Sequence, residues 1–248
     1  MPGNGLSRKV SMKNLISNLS QHQAITIVRF LYPIWIIIGF FSLEYVPTTF
    51  IVNGDAVATA NKILANGTLF RMGIAGSLIE PIIFVLAALA LYTLLKPVNK
   101  NHASLMVIFV LLSAPIAMFS ALGRVAALLI INSADFLKVF GVDQLRALMM
   151  LFLNLNAEGI LIATIFWGLW LFPLGYLVYK SGYFPKILGI LVIIAGFGFL
   201  LSPFTYLLLP SYQSILIPIL DTLTVGEILF IIWLVFKGAK IPETQSNK

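Results

Sequence analysis

"LIEPIIFVLAALALYTLLKPVNKNHASLMVIFVLL", residues 78–112, is two long apolar runs on either side of a short basic joint. A membrane-spanning helix needs about 20 predominantly apolar residues. Extended outward, the two runs cover 72–95 and 104–131, each long enough to cross. The joint "KPVNKN" between them combines a proline, two asparagines and two lysines, which is turn chemistry with positive charge. The stretch reads as one helix crossing a bilayer, a basic turn in water, and a second helix crossing back.

Four further runs have the same character, at 26–46, 159–179, 187–209 and 216–236. Composition agrees: of 248 residues 60% are hydrophobic and only 10% charged, with a mean hydropathy of +1.00. A soluble domain carries roughly 25% charged residues. The predicted fold is all-α, a polytopic membrane bundle of six transmembrane helices. Residues 1–25 form a cytoplasmic N-terminal segment, 26–237 the membrane domain and 238–248 a cytoplasmic tail. The first apolar run is too long for a signal-peptide core and is expected to remain as a span.

Positive charge sets the orientation. Arg8, Lys9 and Lys13 precede the first span, and Lys96 and Lys100 lie between the second and third. Lys180 and Lys186 lie between the fourth and fifth, and Lys237, Lys240 and Lys248 follow the sixth. The positive-inside rule makes these positions cytoplasmic, so both termini are predicted inside. The acidic residues, all but Glu243, fall in the outer loops or in spans toward their outer halves. The net charge of +7 is thereby explained as a basic inner rim, and no nucleic-acid partner is implied.

The same composition removes several chemistries. With no cysteine there is no disulfide, thiolate metal site or cysteine nucleophile. His22 and His102 lie outside the spans or at their edge, which leaves no histidine pair for a haem and no HExxH motif. No metal site and no cofactor is expected.

The outer segments carry helix signals of their own. "GDAVATANKILANG" opens on Gly-Asp and closes on Asn-Gly, start and stop signals for a short helix near 55–66. In the next outer segment Leu145, Leu148, Met149, Phe152 and Leu155 recur on one helical face. The polar cluster Asn154, Asn156, Glu158 and Gly159 follows. Residues 143–155 are predicted to lie as an amphipathic helix in the outer interface, the alternative being a re-entrant or tilted continuation of the fourth span.

The ionisable residues within or beside the spans are the candidate site. An unpaired arginine in lipid costs about 2.5–3.5 kcal/mol on insertion scales, so Arg124 in "FSALGRVAALLIIN" requires a partner. Ser113, Ala117 and Ala121 form a small-residue ridge on its face, and Gly73, Gly76 and Ser77 do so beside Glu80. Both charges are therefore predicted to point inward, with Glu80 or Glu227 neutralising Arg124. Glu158 at the start of the fourth span, and Asp221 stepping through Thr224 to Glu227 in the sixth, complete an expected charge cluster of Glu80, Arg124, Glu158, Asp221 and Glu227. Trp167, Trp170 and Asn154 are candidate cavity-lining residues. No nucleophile motif accompanies the carboxylates, and no catalytic residue is assigned.

"GDAVATANKIL…LFRMG", "LYTLLKPVNK", "DQLRALMMLFLNL" and "IFWGLWLFPLGYLVYKSGYFPKILGILVIIAGFGFL" resemble a bacterial membrane family catalogued as domain of unknown function 4386. The likeness covers about residues 26–240. It implies a multi-pass protein of the bacterial plasma (inner) membrane and implies no activity. The expected function is binding, or moving, a small amphipathic molecule or lipid in a polar pocket of the outer half, with membrane lipid as partner. The alternatives are an assembly or sensory subunit whose charge cluster is structural, and a membrane-embedded lipid-modifying enzyme.

Overall fold

The computed structural model describes residues 19–132 and 135–242. Arg8, Lys9, Lys13, Glu243 and Lys248 lie outside the described residues. Among the latter there are six helices long and apolar enough to cross a membrane: α1 (Gln21–Phe50), α3 (Gly67–Leu95), α4 (Lys100–Ile131), α5 (Val142–Ser181), α6 (Lys186–Leu208) and α7 (Pro210–Lys237). The short helix α2 (Ala56–Ala65) follows α1.

Local chemistry sets the ends. At α1 the Ser20 hydroxyl accepts from the Gln23 backbone N–H at 3.2 Å, and the Gln23 side chain accepts from the Ser20 N–H at 2.9 Å. These reciprocal bonds satisfy two donors that a helix start leaves open. Asp55, Asn66 and Asn99 cap α2, α3 and α4, each accepting from a backbone N–H in the first turn. After α5 the chain turns at Gly182 with φ +70°, a backbone region where a side chain is strained.

The basic joints gather at one end. Gln21 Nε2 donates to the Leu94 carbonyl at 2.7 Å and to the Tyr183 hydroxyl at 3.1 Å. The Lys240 N–H reaches the Tyr183 carbonyl at 3.0 Å. Arg29 Nε donates to the Val235 carbonyl at 2.8 Å. The start of α1, the α3–α4 and α5–α6 joints and the end of α7 are thus tied together.

The core divides by depth. One cluster, toward the basic end, includes Tyr32, Phe84, Trp170 and Phe230; the other joins Phe50, Ile63, Phe70, Ile130 and Met149 beneath α2. Helices α5 and α6 approach through glycines spaced by seven residues, Gly168 and Gly175 facing Gly196 and Gly189. A Cβ on Gly168 would sit 2.6 Å from the Leu200 backbone nitrogen, and one on Gly189 2.6 Å from the Gly175 carbonyl oxygen. Small residues at such positions allow backbones in a membrane to meet.

The structure corrects the reading of 143–155. This segment is not a separate interfacial helix: α5 runs unbroken from Val142 to Ser181. Met149 and Leu153 are buried against the end of α4 and beneath α2, while Leu155 is exposed. Two members of the polar cluster that reads as a stop, Asn156 and Gly159, are absorbed by packing. The Asn156 side chain is hydrogen-bonded to α4. Gly159 accommodates the Ser120 hydroxyl, which occupies the space a Cβ would need.

Candidate functional site

Three of the five predicted charge-cluster residues are buried: Glu80 (3% exposed), Arg124 (3%) and Glu227 (7%). Glu158 and Asp221 are exposed. Helical geometry explains both corrections. Two residues subtend roughly 200° around a helix, so Glu158 faces away from the buried Asn156. A spacing of three drifts by about 60° per step, so Asp221 is turned about 120° from Glu227. Asn154 is exposed as well, and the asparagine used inside the bundle is Asn156.

Arg124 does not meet either buried carboxylate. Its Nε donates to Asn156 Oδ1 at 2.7 Å and its Nη1 to the Ser42 carbonyl oxygen at 2.7 Å. The Ser42 carbonyl is free because the backbone there is irregular. Residues Phe40–Tyr45 of α1 are π-helical, and the Val46 N–H reaches the Phe41 carbonyl. In that register Ser42 would accept from residue 47, but Pro47 has no N–H. The Ser42 carbonyl is left for Arg124.

A complementary break lies in α4. The Arg124 N–H bonds Ala121 at 3.0 Å, three residues back instead of four, so the Ser120 carbonyl loses its regular donor. Asn156 Nδ2 supplies the replacement at 2.8 Å. The helices come this close because Gly123 faces α5: a Cβ there would collide with the Phe152 carbonyl oxygen. Arg124 and Asn156 thus join α1, α4 and α5 through carbonyls that the helices themselves leave open.

The carboxylates occupy a different place. Glu80 and Glu227 line a cavity of about 500 Å³ among α1, α3, α5, α6 and α7. Glu80 lies midway along α3, because that helix begins at Gly67, earlier than its apolar run. By the rise per residue, Glu80 is roughly 20 Å from the start of α3 and Arg124 about 10 Å from the end of α4. The two charges therefore differ in depth.

Aromatic side chains form much of the cavity wall. Trp35 stacks on Phe84 at 4.9 Å, Phe84 meets Trp170 edge-on at 5.0 Å, and Trp167 meets Phe199 edge-on at 6.5 Å. The Trp35 indole N–H donates to Glu80. Among the described residues no hydrogen bond or ion pair engages the Glu227 carboxylate, and both ion pairs, Lys138–Asp135 and Arg146–Asp143, join neighbours on exposed surface. A third carboxylate, exposed Glu44, also lines the cavity, and no lysine or arginine does. Among the described residues no group of three or more histidine, cysteine or acidic side chains is placed to hold a metal ion.

Trp167 and Trp170, singled out from sequence, both line this cavity. Trp35 is absent from the sequence-derived set although it supplies the hydrogen bond to Glu80. Its signal was an indole in mid-span, away from the interfaces where tryptophan usually anchors.

Residues 29–238 match the family described as domain of unknown function DUF4386. The chain belongs to that family. It is also similar to a protein of Archaeoglobus fulgidus described as uncharacterized, 35% identical over 174 residues, which are 70% of this chain and 88% of that protein. No solved structure matches this DUF4386 chain.

Proposed function

We propose that this protein binds a small amphipathic molecule inside the membrane, in the cavity lined by Glu80 and Glu227. One observation carries the reading: two buried carboxylates border a cavity of about 500 Å³ whose remaining wall is largely aromatic and aliphatic. Ligand sites are typically concave and mostly apolar, with a few placed polar groups, and measure about 300–1,000 Å³. Intramembrane ionisable residues normally mark such sites.

In this reading the binding residues are Glu80, Glu227, Trp167 and Trp170, with Trp35 and Glu44 added. Arg124 belongs to the scaffold. The cavity lies nearer mid-membrane than the outer leaflet, as the position of Glu80 along α3 favours. The gathered lysines support an orientation with the basic end in the cytoplasm, and the family resemblance supports a bacterial plasma membrane.

The test is direct. The protein is purified in detergent and in lipid nanodiscs, and native mass spectrometry with density from electron microscopy is used to look for a retained small molecule. Retention beside Glu80 and Glu227 that disappears when the cavity is filled by larger side chains supports binding. A cavity that collapses, with both carboxylates paired to protein groups, overturns it.

The reading of a structural charge cluster retains one specific support: Arg124 is engaged by backbone and amide oxygens. That support concerns Arg124 and does not extend to the cavity.

A further inference from the structure

We infer that the occupant of the Glu80–Glu227 cavity is a lipophilic organic cation, a protonated amine or an onium centre carrying apolar groups. This inference rests on the binding reading above and names its substrate class.

Charge is the first argument. Glu44, Glu80 and Glu227 are the ionisable groups on the lining, all of one sign. Arg124, the cation expected from sequence to neutralise them, is committed to Ser42 and Asn156. A carboxylate that stays ionised out of water needs a compensating charge or several donors. Glu80 has one donor from Trp35, and Glu227 has none among the described residues. A cation in the cavity supplies what the protein withholds.

The wall decides which kind of cation. Hard metal ions require six or more oxygen ligands, and this lining has no such set. Aromatic faces instead attract weakly hydrated organic cations through their quadrupoles, tryptophan most strongly. Trp35, Phe40, Phe84, Trp167, Trp170 and Phe199 place six aromatic side chains around the same space. Carboxylates and aromatic rings together match a charge enclosed in hydrocarbon.

The rim gives the third argument. Ile36 and Phe40 on α1 and Ile228 on α7 line the cavity and are also exposed on the bundle surface. Toward the basic end α1 is fastened to α7 by Arg29 and Val235. Beyond that fastening, these exposed apolar side chains and the exposed Glu44 form the edge of the cavity on the bundle surface. A solute that partitions into lipid meets the cavity at that edge.

The experiment uses probes of related shape and different charge: tetraphenylphosphonium, its isosteric anion tetraphenylborate, and neutral triphenylphosphine oxide. Binding to the full chain in nanodiscs is measured against empty nanodiscs. Tetraphenylphosphonium is expected to bind specifically, with the anion and the neutral compound at background. Glu227→Gln and Glu80→Gln should each weaken it by about tenfold or more, as for loss of a charge contact in low dielectric. Equal binding of the neutral probe, or unchanged affinity in both glutamine variants, overturns the cation assignment while leaving amphipathic binding in place. Failure of all three probes to bind overturns both. If a variant fails to fold, the comparison of the three charges on the unaltered protein still decides.

Discussion

Arg124 Nη1 donates to the Ser42 carbonyl oxygen at 2.7 Å, across a sequence separation of 82 residues. The bond exists because α1 is wound one residue wide at Phe40–Tyr45 and is followed by Pro47. A charge that would be costly in lipid is held by a backbone group that would also be costly unpaired.

Arg124→Leu removes donors from both Ser42 and Asn156 and should destabilise the protein by about 3–5 kcal/mol, as when one side of a buried polar contact is deleted. Unfolding in mixed detergent measures this. Arg124→Lys, with a point charge instead of a fork, should recover part of the loss. A leucine variant that unfolds like the parent would show that the Ser42 contact is dispensable.

Pro47→Ala tests the origin of the free carbonyl. Alanine restores an N–H that Ser42 can use in the π-helical register. In the Pro47→Ala background Arg124→Leu should cost about 1 kcal/mol less than in the parent, a coupling measurable by a double-mutant cycle. Strict additivity would remove Pro47 from the explanation.

The α5–α6 seam should tolerate nothing larger than glycine. Gly168→Ala would put a carbon against the Leu200 backbone nitrogen and the Gly196 carbonyl, where no side chain can yield. A clear fall in melting temperature is expected, equivalent to about 1–3 kcal/mol of overpacking. Gly141→Ala is the control. Its nearest neighbour is the flexible end of Gln144 at 3.7 Å, and little change is expected.

Sidedness can be read by cysteine labelling, since the chain has no native cysteine. In intact cells a membrane-impermeant thiol reagent should modify Asn61→Cys on α2 and spare Lys186→Cys at the basic end. Both should react after permeabilisation. The reverse pattern in intact cells would invert the topology.

The six spans were legible because each is a long apolar run broken by charged or proline-containing joints, signals that survive without tertiary knowledge. Inward placement of Glu80 and Arg124 was legible from the small residues on their faces. Their pairing was not, because the acceptor for Arg124 is a backbone carbonyl, and backbone acceptors do not stand out among side chains. Pro47 was the available clue. The unbroken course of α5 was hidden for a related reason: Asn156 and Gly159 resemble stop signals, yet one is hydrogen-bonded and the other closely packed in the interior. The glycines at 168, 175, 189 and 196 state their spacing openly, but only a facing helix gives that spacing meaning.

On the binding reading proposed above, an edge of the cavity at Phe40 and Ile228 makes the bilayer the reservoir from which the site fills. Occupancy is then governed by solute concentration in the hydrocarbon, not in the surrounding water. Each methylene added to a solute enriches it in that reservoir by about fourfold before it touches the protein. A site fed this way works with modest intrinsic affinity, and selectivity among cations of similar shape follows their lipid solubility first. Acyl chains are the standing competitors, present at far higher abundance than any solute. The carboxylates supply the distinction that hydrophobicity cannot, since an acyl chain has no charge to offer Glu80 or Glu227.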